Sequence, residues 1–221
     1  SQTINFAQGE FVMLPAFFVL AGMRFGELSF AAALLVGLAA SVLVLGVLFK
    51  RVVVDPILRH GVLPLVISTL GLAIFFKEGV KEFYAAEAQG FPGVWPTTNF
   101  TLFGAVISAQ SLVIIAVAVV AVGVLQWFLG GTRTGRQMQA TAQNPMLARV
   151  LGIRVERMIL YTFLVNAALV ALASFLVSPI YLAKFTNGEL LGLAAFVAAI
   201  VGGFNQVRGA VVGGLPLGVV G

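Results

Sequence analysis

The chain alternates between long apolar runs and short polar breaks. Phe30–Phe49, Ala105–Leu129 and Met158–Ala183 are apolar over almost their whole length, apart from Asn166 and Pro179 in the last of them. A helix of about twenty residues crosses the ~30 Å hydrocarbon core of a bilayer at ~1.5 Å per residue. These three runs therefore predict transmembrane helices.

Other apolar runs are too short for a full crossing as they stand. They are Phe11–Met23, Gly61–Phe76, Leu190–Gly203 and Gly209–Gly221. Gly61–Phe76 also contains Pro64, so it must be tilted, extended by its flanks or buried among other helices. For segments 4–23 and 190–221 we expect discontinuous or re-entrant helices, a common device of transporters.

The composition agrees with a membrane protein. Hydrophobic residues make up 60% of the chain and charged residues 10%, with a mean hydropathy of +1.07. A soluble domain has about 25% charged residues, so this chain lacks the polar surface of one. We predict an all-α, polytopic integral membrane protein, a helical bundle forming one transmembrane domain over residues 1–221. Since the chain starts with Ser1 in place of Met and ends at Gly221 inside an apolar run, we expect further membrane segments beyond both ends.

The longest polar break, Thr132–Arg157, has the signals of a short bounded helix. Asn144 is a favoured N-cap, and Pro145 suits the first helical position because its missing N–H is not needed there. Gly152 suits the left-handed conformation that ends many helices. The sequence therefore predicts a helix over Pro145–Leu151, and helix signals at both ends indicate a rigid surface for a partner.

The basic residues predict the orientation in the membrane. Most of them fall in two breaks, as Lys50, Arg51 and Arg59 in one and Arg133, Arg136, Arg149, Arg154 and Arg157 in the other. Two crossings separate these breaks, so both lie on one side, which the positive-inside rule makes cytoplasmic. The break at Lys77–Gly104 is richer in acidic and aromatic residues and is predicted to be periplasmic. The charges are explained by topology, so we predict no nucleic-acid partner.

A few polar side chains interrupt or adjoin the apolar runs. They are Asn5, Gln8, Glu10 and Asn166. Polar groups at membrane depth usually face a bundle interior or a water-filled path, so these residues are candidates for the substrate path. The alternative for Glu10 is a favourable interaction with the first turn of an interfacial helix. Gln8-Gly9-Glu10 is echoed by Asn187-Gly188-Glu189, a pattern that inverted repeats produce.

Several kinds of chemistry lack their sequence requirements. The chain has no GxxxxGK[ST] nucleotide-binding loop, a single histidine (His60) and no cysteine. A multi-histidine metal site and a thiolate metal site are therefore excluded, and a hydrolytic triad is unsupported. We predict no cofactor, no catalytic residue and no ATPase site of its own.

Three segments resemble the branched-chain amino acid permease family of bacterial ABC importers, specifically its smaller permease subunit. Ile4–Glu10 is similar to the family's early INFAHGE stretch, and Gly135–Ile153 is similar to its ATPase-contacting segment. Ala195–Gly218 resembles its glycine-rich late motif. Gln8 stands where the family commonly has His, and Pro15 where Gly is usual. Phe204–Arg208 replaces a turn that is richer in Gly, Ser and Pro in the family. These departures affect the expected identity of the cargo more than the expected class of function.

The resemblance implies a function and partners. It implies an inner-membrane permease that carries leucine, isoleucine and valine. The partners would be a second permease subunit, two ATPase subunits and a periplasmic substrate-binding protein. By the same resemblance, the ATPase docks on Arg136, Gln143, Asn144, Pro145, Arg149 and Gly152.

Three alternatives remain open from the sequence. The cargo could be urea, a short amide or another amino acid, carried by the same class of importer. The chain could also be a stand-alone ion-coupled transporter or channel, although its spans are nearly free of charge. A membrane scaffold without a transport role would leave the polar stretch Asn5–Glu10 unexplained.

Overall fold

The computed structural model describes residues 7–58, 60–84, 87–93, 99–102 and 105–203, with Gly209 and Gly214. Helices α1 (Gln8–Phe25) and α2 (Phe30–Ser41) come first, and α2 continues as π-helix through Val42–Leu48 and Lys50–Val54 into α3 (Asp55–Leu58). The other helices are α4 (Val62–Tyr84), α5 (Ala109–Gly131), α6 (Arg133–Gln143), α7 (Pro145–Val150), α8 (Val155–Tyr181) and α9 (Asn187–Gly202). Strands β1 (Asn99–Leu102) and β2 (Ala105–Ser108) form an antiparallel hairpin before α5.

Four helical segments among the described residues are long and apolar enough to cross a membrane. They are Phe30–Ile57, Leu63–Tyr84, Ala109–Gly131 and Val155–Tyr181. The prediction of an all-α polytopic membrane protein is thus confirmed, with the small hairpin as an addition. At 16 residues, α9 is too short for a simple crossing. Its re-entrant character stays a prediction, and most of 204–221 lies outside the described residues.

Two predicted boundaries were wrong. The polar break was expected to begin at Lys77, but α4 continues to Tyr84, and Lys77 is an ordinary helical residue with an ion-pair partner. The span predicted from Ala105 begins at Ala109, because Ala105–Ser108 forms strand β2. The β-branched residues of Ala-Val-Ile-Ser explain that choice, since such side chains favour strands.

Helix α1 lies at the centre of the bundle, against α2, α8 and α9. Phe11 is fully buried, and its ring lies 4.8 Å from the Phe49 ring and 6.5 Å from the Phe76 ring, measured between centroids. Gly37 of α2 leaves room for Val19. Small residues of this kind let helix backbones approach closely where lipid provides no hydrophobic drive for association.

The packing of α8 against the segment that follows α2 fixes the relative direction of the spans. Gly46 faces Leu164 and Ala167, while Phe49 contacts Phe163, so the two segments run antiparallel. The end of α3 and the start of α8 therefore point to the same side. At the opposite side, Gln89 pairs with Ala183 through two backbone hydrogen bonds of 2.9 Å. The basic breaks thus share a side, as the orientation argument requires.

Helix α5 lies at the edge of the bundle. Val119, Val120, Val124 and Trp127 expose their side chains, and with α8 this helix borders an apolar groove of about 420 Å³. An apolar surface of this extent is unusual in a soluble monomer. It is expected for a helix that faces lipid tails or another membrane helix.

Candidate functional site

Side-chain caps build the polar segment between α5 and α8. The Thr132 hydroxyl accepts a 2.9 Å hydrogen bond from the Gly135 N–H at the start of α6. The Asn144 side-chain oxygen accepts a 3.0 Å hydrogen bond from the Leu147 N–H at the start of α7. Gly152 follows α7 with φ of +77°, the left-handed conformation predicted for it. The capped helix is confirmed, and it ends at Val150, one residue earlier than predicted.

Helix α6 fastens this segment to the membrane spans. Gly135 lies so close to α5 that an added Cβ would come within 2.6 Å of the Leu129 Cα atom. Met138 and Thr141 are buried, and on α7 Ala148 is buried in the same way. Both helices contact α8. Helix α7 is therefore joined to α8 directly and to α5 through α6.

The six predicted docking residues are all exposed. They are Arg136 and Gln143 on α6, Asn144 and Pro145 at the turn, and Arg149 and Gly152 at the end of α7. The Arg149 guanidinium donates a 3.0 Å hydrogen bond to Glu156, with both side chains mostly exposed. Because an exposed ion pair contributes little stability, Arg149 is free to exchange Glu156 for a partner's carboxylate.

Sequence reasoning missed four exposed apolar residues in and next to α7. Met146 and Val150 are 78% and 79% exposed, and Leu147 and Leu151 are exposed as well. These side chains lie in the polar segment that the charge pattern assigns to the cytoplasm, where water should be excluded from them by a partner. The sequence did contain a signal for these residues. Helix α7 is rich in apolar side chains, but it is so short that only Ala148 is buried.

A second polar group lies inside the bundle. The Gln8 and Asn166 side-chain amides exchange two hydrogen bonds of 3.2 Å, one in each direction. This contact joins α1 to the middle of α8, so the structure brings together two of the four predicted path residues. Asn5, the first of the four, lies outside the described residues.

Glu10 occupies the third predicted path position. Its side chain is buried, with 6% of the residue exposed, and the Oε2 atom has no hydrogen-bond partner among the described residues. Lys77 of α4 and Glu189 of α9 are close enough for their charges to act on the Glu10 carboxyl group. Lys77 itself donates a 2.8 Å hydrogen bond to Glu189. Sequence reasoning had assigned neither Lys77 nor Glu189 to this site.

The echoed triplets meet at the contact between α1 and α9. A Cβ added to Gly192 would lie 2.6 Å from the Gly9 Cα atom, and a Cβ on Gly9 would overlap the Gly188 carbonyl oxygen. Only glycine permits this approach. Within the described residues no group of three or more His, Asp or Glu side chains is arranged to hold a metal ion.

Comparison with known proteins identifies the family. The whole chain, residues 1–221, matches the family described as branched-chain amino acid transport system / permease component. It is 32% identical over 231 residues to the high-affinity branched-chain amino acid transport system permease protein LivH of Escherichia coli K12, covering 98% of this chain and 74% of the relative. It is 33% identical, with the same coverage, to the corresponding BraD protein of Pseudomonas aeruginosa.

A more distant relative is named for another cargo. The autoinducer 2 import system permease protein LsrC of Escherichia coli O9:H4 is 29% identical over 150 residues, 66% of this chain and 42% of the relative. No solved structure matches the chain. The family match and the membrane-spanning helices set aside the stand-alone transporter, the channel and the scaffold. The chain belongs to the permease component family of branched-chain amino acid transport systems, as a multi-pass protein of the bacterial inner membrane.

Proposed function

We propose that this permease carries leucine, isoleucine and valine into the cell as part of an ABC importer. A periplasmic binding protein delivers the amino acid, and separate ATPase subunits supply the energy. The names of the LivH and BraD relatives support this cargo. The observation that carries the mechanism is the capped, exposed helix α7, held against two membrane spans by α6.

The subunit composition follows from the same proposal. Two permease subunits enclose the path, and one ATPase docks on each. The chain has no nucleotide-binding loop of the GxxxxGK[ST] type, so ATP is hydrolysed by the partners. The exposed apolar surface of α5 is available to lipid or to the second permease subunit.

The single transmembrane domain presents different faces to the two compartments. We assign segment 132–157 to the cytoplasm because of its arginines, and the part of the predicted segment 77–104 that follows the end of α4 at Tyr84 to the periplasm. The packing supports this assignment, since the Gln89–Ala183 contact lies at the end of the bundle opposite to α6 and α7. The periplasmic end, from Glu87 onward, is the surface on which the binding protein would act.

Docking uses both charge and apolar contact. Arg136, Gln143 and Arg149 supply polar contacts to the ATPase, while Asn144, Pro145 and Gly152 fix the shape of α7. Met146 and Val150 supply the apolar anchors that tight interfaces need. When nucleotide binding moves the ATPases, α7 transmits the movement through α6 to α5 and α8, and the path opens to the other side.

The path itself runs beside α1. Gln8, Glu10 and Asn166 are the described polar groups along it, and Asn5 precedes them in the sequence. A neutral, apolar side chain needs few polar contacts, so a path with so few polar groups suits a branched aliphatic cargo. Urea, short amides or another amino acid remain the alternative, since the LsrC relative shows that permeases of related sequence are named for other solutes.

The docking assignment is tested by reversing one charge. We predict that Arg149→Glu lowers co-purification of the ATPase roughly tenfold, as expected for the loss of an interfacial charge pair. Glu156→Gln is the matched control, because it breaks the same 3.0 Å ion pair yet leaves the arginine available to the partner. Membrane insertion should be unchanged in both variants. Equal ATPase recovery from Arg149→Glu and wild type would contradict the docking role.

A further inference from the structure

Three charged side chains from three helices meet at one point of the bundle. Glu10 comes from the first turn of α1, Lys77 from α4 and Glu189 from the first turn of α9. The Lys77 ammonium lies 2.8 Å from the Glu189 carboxylate. The Glu10 Oε2 atom lies against Gly188, the residue that precedes Glu189. The cluster lies beside the glycine contact of Gly9, Gly188 and Gly192.

The cluster lies within the depth of a membrane span. Lys77 is about two turns before the end of α4 at Tyr84, which places it about 10 Å below that end. A charged group at such depth is tolerated only against protein or a water-filled cavity. The Glu189 side chain is nevertheless 61% exposed and that of Lys77 is 27% exposed. These exposed charged surfaces are not covered by other described residues, so they are open to a solute or to a partner subunit.

The charges of the cluster do not balance. Two carboxylates share one ammonium group, and Glu10 is the one left over. Among the described residues, its buried Oε2 atom finds no donor as a carboxylate and no acceptor as a carboxylic acid. A buried polar group without a partner is costly, so it indicates a partner that comes and goes. The group best matched to Glu10 is a cation that can also donate hydrogen bonds.

The surroundings of Glu10 point its free oxygen at the start of α9. A Cβ on Gly188 would lie 2.5 Å from the Glu10 Oε2 atom, so a side chain there would fill the space next to the carboxyl group. The Asn187 N–H at the start of α9 already donates a 3.2 Å hydrogen bond to the Lys184 carbonyl oxygen. The groups that come together here are therefore the two carboxyl groups and the Lys77 ammonium group.

We propose that Glu10, Lys77 and Glu189 form an intramembrane site for the zwitterionic head group of an α-amino acid. The cargo ammonium pairs with Glu10 and Glu189, and the cargo carboxylate pairs with Lys77, which gives up Glu189. Each charge then has a partner without a net change in charge, since the zwitterion is neutral. The proposal rests on the proposed function, and it separates an amino acid from urea or a short amide, which would not need these charges.

The same geometry makes the site depend on the conformation of the bundle. Lys77 and Glu189 are reachable in the present state, while α9 covers Glu10 through Gly188 and Gly192. Full occupation requires α9 to move away from α1. Binding of the head group and separation of these two helices are therefore coupled, as alternating access requires.

The site is tested in proteoliposomes that contain the complete importer and its binding protein. We expect Glu10→Gln and Lys77→Met each to lower leucine uptake at least about tenfold, since each removes a charge-assisted contact to the cargo. ATPase co-purification and thermal stability of the complex report whether each variant assembles. The matched control is the pair Lys81 and Glu78, a 2.8 Å ion pair on α4 whose exchange should leave uptake unchanged.

A charge exchange separates a binding role from a structural one. In the double variant Lys77→Glu, Glu189→Lys, the ion pair is restored but the lysine is moved from α4 to α9. We expect assembly to recover and leucine uptake to stay low, because the charges face the zwitterion in the wrong order. Recovery of uptake, or wild-type uptake by Glu10→Gln, would overturn the site alone. A wild-type importer that carries urea and not amino acids would overturn the proposed function as well.

Discussion

At the scale of single residues, glycine determines how closely α1 and α9 pack. Gly9, Gly188 and Gly192 bring the two helix backbones into direct contact, and no larger residue fits there. In lipid, where apolar side chains gain little by leaving their surroundings, such backbone proximity supplies much of the association energy through dispersion contacts. The three glycines also keep open the space into which Glu10 points. The same three glycines thus determine both the packing of α1 against α9 and the space beside Glu10.

The glycine contact makes a prediction that needs no substrate. Gly192→Ala should lower the stability of the protein in detergent by about 1–3 kcal/mol, the usual cost of overpacking. The added Cβ would lie 2.6 Å from Gly9 Cα. Gly123→Ala in α5 is the control, because nothing lies within 4 Å of its added Cβ. Thermal unfolding of the two variants under one condition checks this. Equal midpoints would show that α9 can shift without cost and would contradict the tight contact.

Residues whose role is local could be predicted from the sequence, and residues whose role depends on distant partners could not. The Asn144 cap was predicted because it bonds to Leu147, three residues along the chain. Lys77 was assigned to a polar break because several charged residues follow it, with a surface helix over Lys77–Gln89 left open, and its partner Glu189 is 112 residues away. Gln8 and Asn166 were each noted as polar, but their mutual contact spans 158 residues. No pattern within one segment encodes such a pairing.

At the scale of elements, α6 and α7 form one structural unit. The short α7 would be unstable alone, since helices of fewer than about 12 residues are marginal in water. Caps at Thr132 and Asn144 and burial of Met138 and Ala148 hold both helices against the spans. The sequence predicted α7 from its end signals, whereas α6 lacked strong signals and was not predicted. Its place depends on Gly135 packing against α5, a tertiary contact.

The orientation of these elements can be checked without disturbing them. The chain has no cysteine, so a thiol-reactive reagent can label it only at the single cysteine that is introduced. We expect Glu87→Cys, at an exposed periplasmic position, to react in intact cells with a maleimide that cannot cross the membrane. Gln139→Cys, exposed on α6, should react only after the cells are opened. Labelling of Gln139→Cys in intact cells would reverse the assigned sides and remove α7 from the reach of the ATPase.

At the scale of the whole molecule, α8 connects the capped helices α6 and α7 with α1. It contacts α6 and α7 near one end and α1 through the Gln8–Asn166 bonds in the middle, and five residues join it to α9. In the mechanism proposed above, α8 is the helix that carries a movement of α7 toward α1 and α9. The hydropathy pattern predicted the fold class and three of the four long spans, because burial in lipid is decided segment by segment. It missed the full length of the fourth, Leu63–Tyr84, because charged residues occupy the end of that helix. The arrangement of helices around α1 depends on inter-helix packing and was beyond that pattern.

The central claim is that this permease serves an ATP-driven importer of branched-chain amino acids. Its most direct test is to purify the full-length gene product together with the proteins encoded beside it, add the binding protein, and measure ATP hydrolysis with each amino acid. We predict that an ATPase co-purifies and that leucine, isoleucine or valine stimulates hydrolysis in the presence of the binding protein. A membrane protein that purifies without an ATPase, or a complex stimulated only by an uncharged solute, would contradict the account.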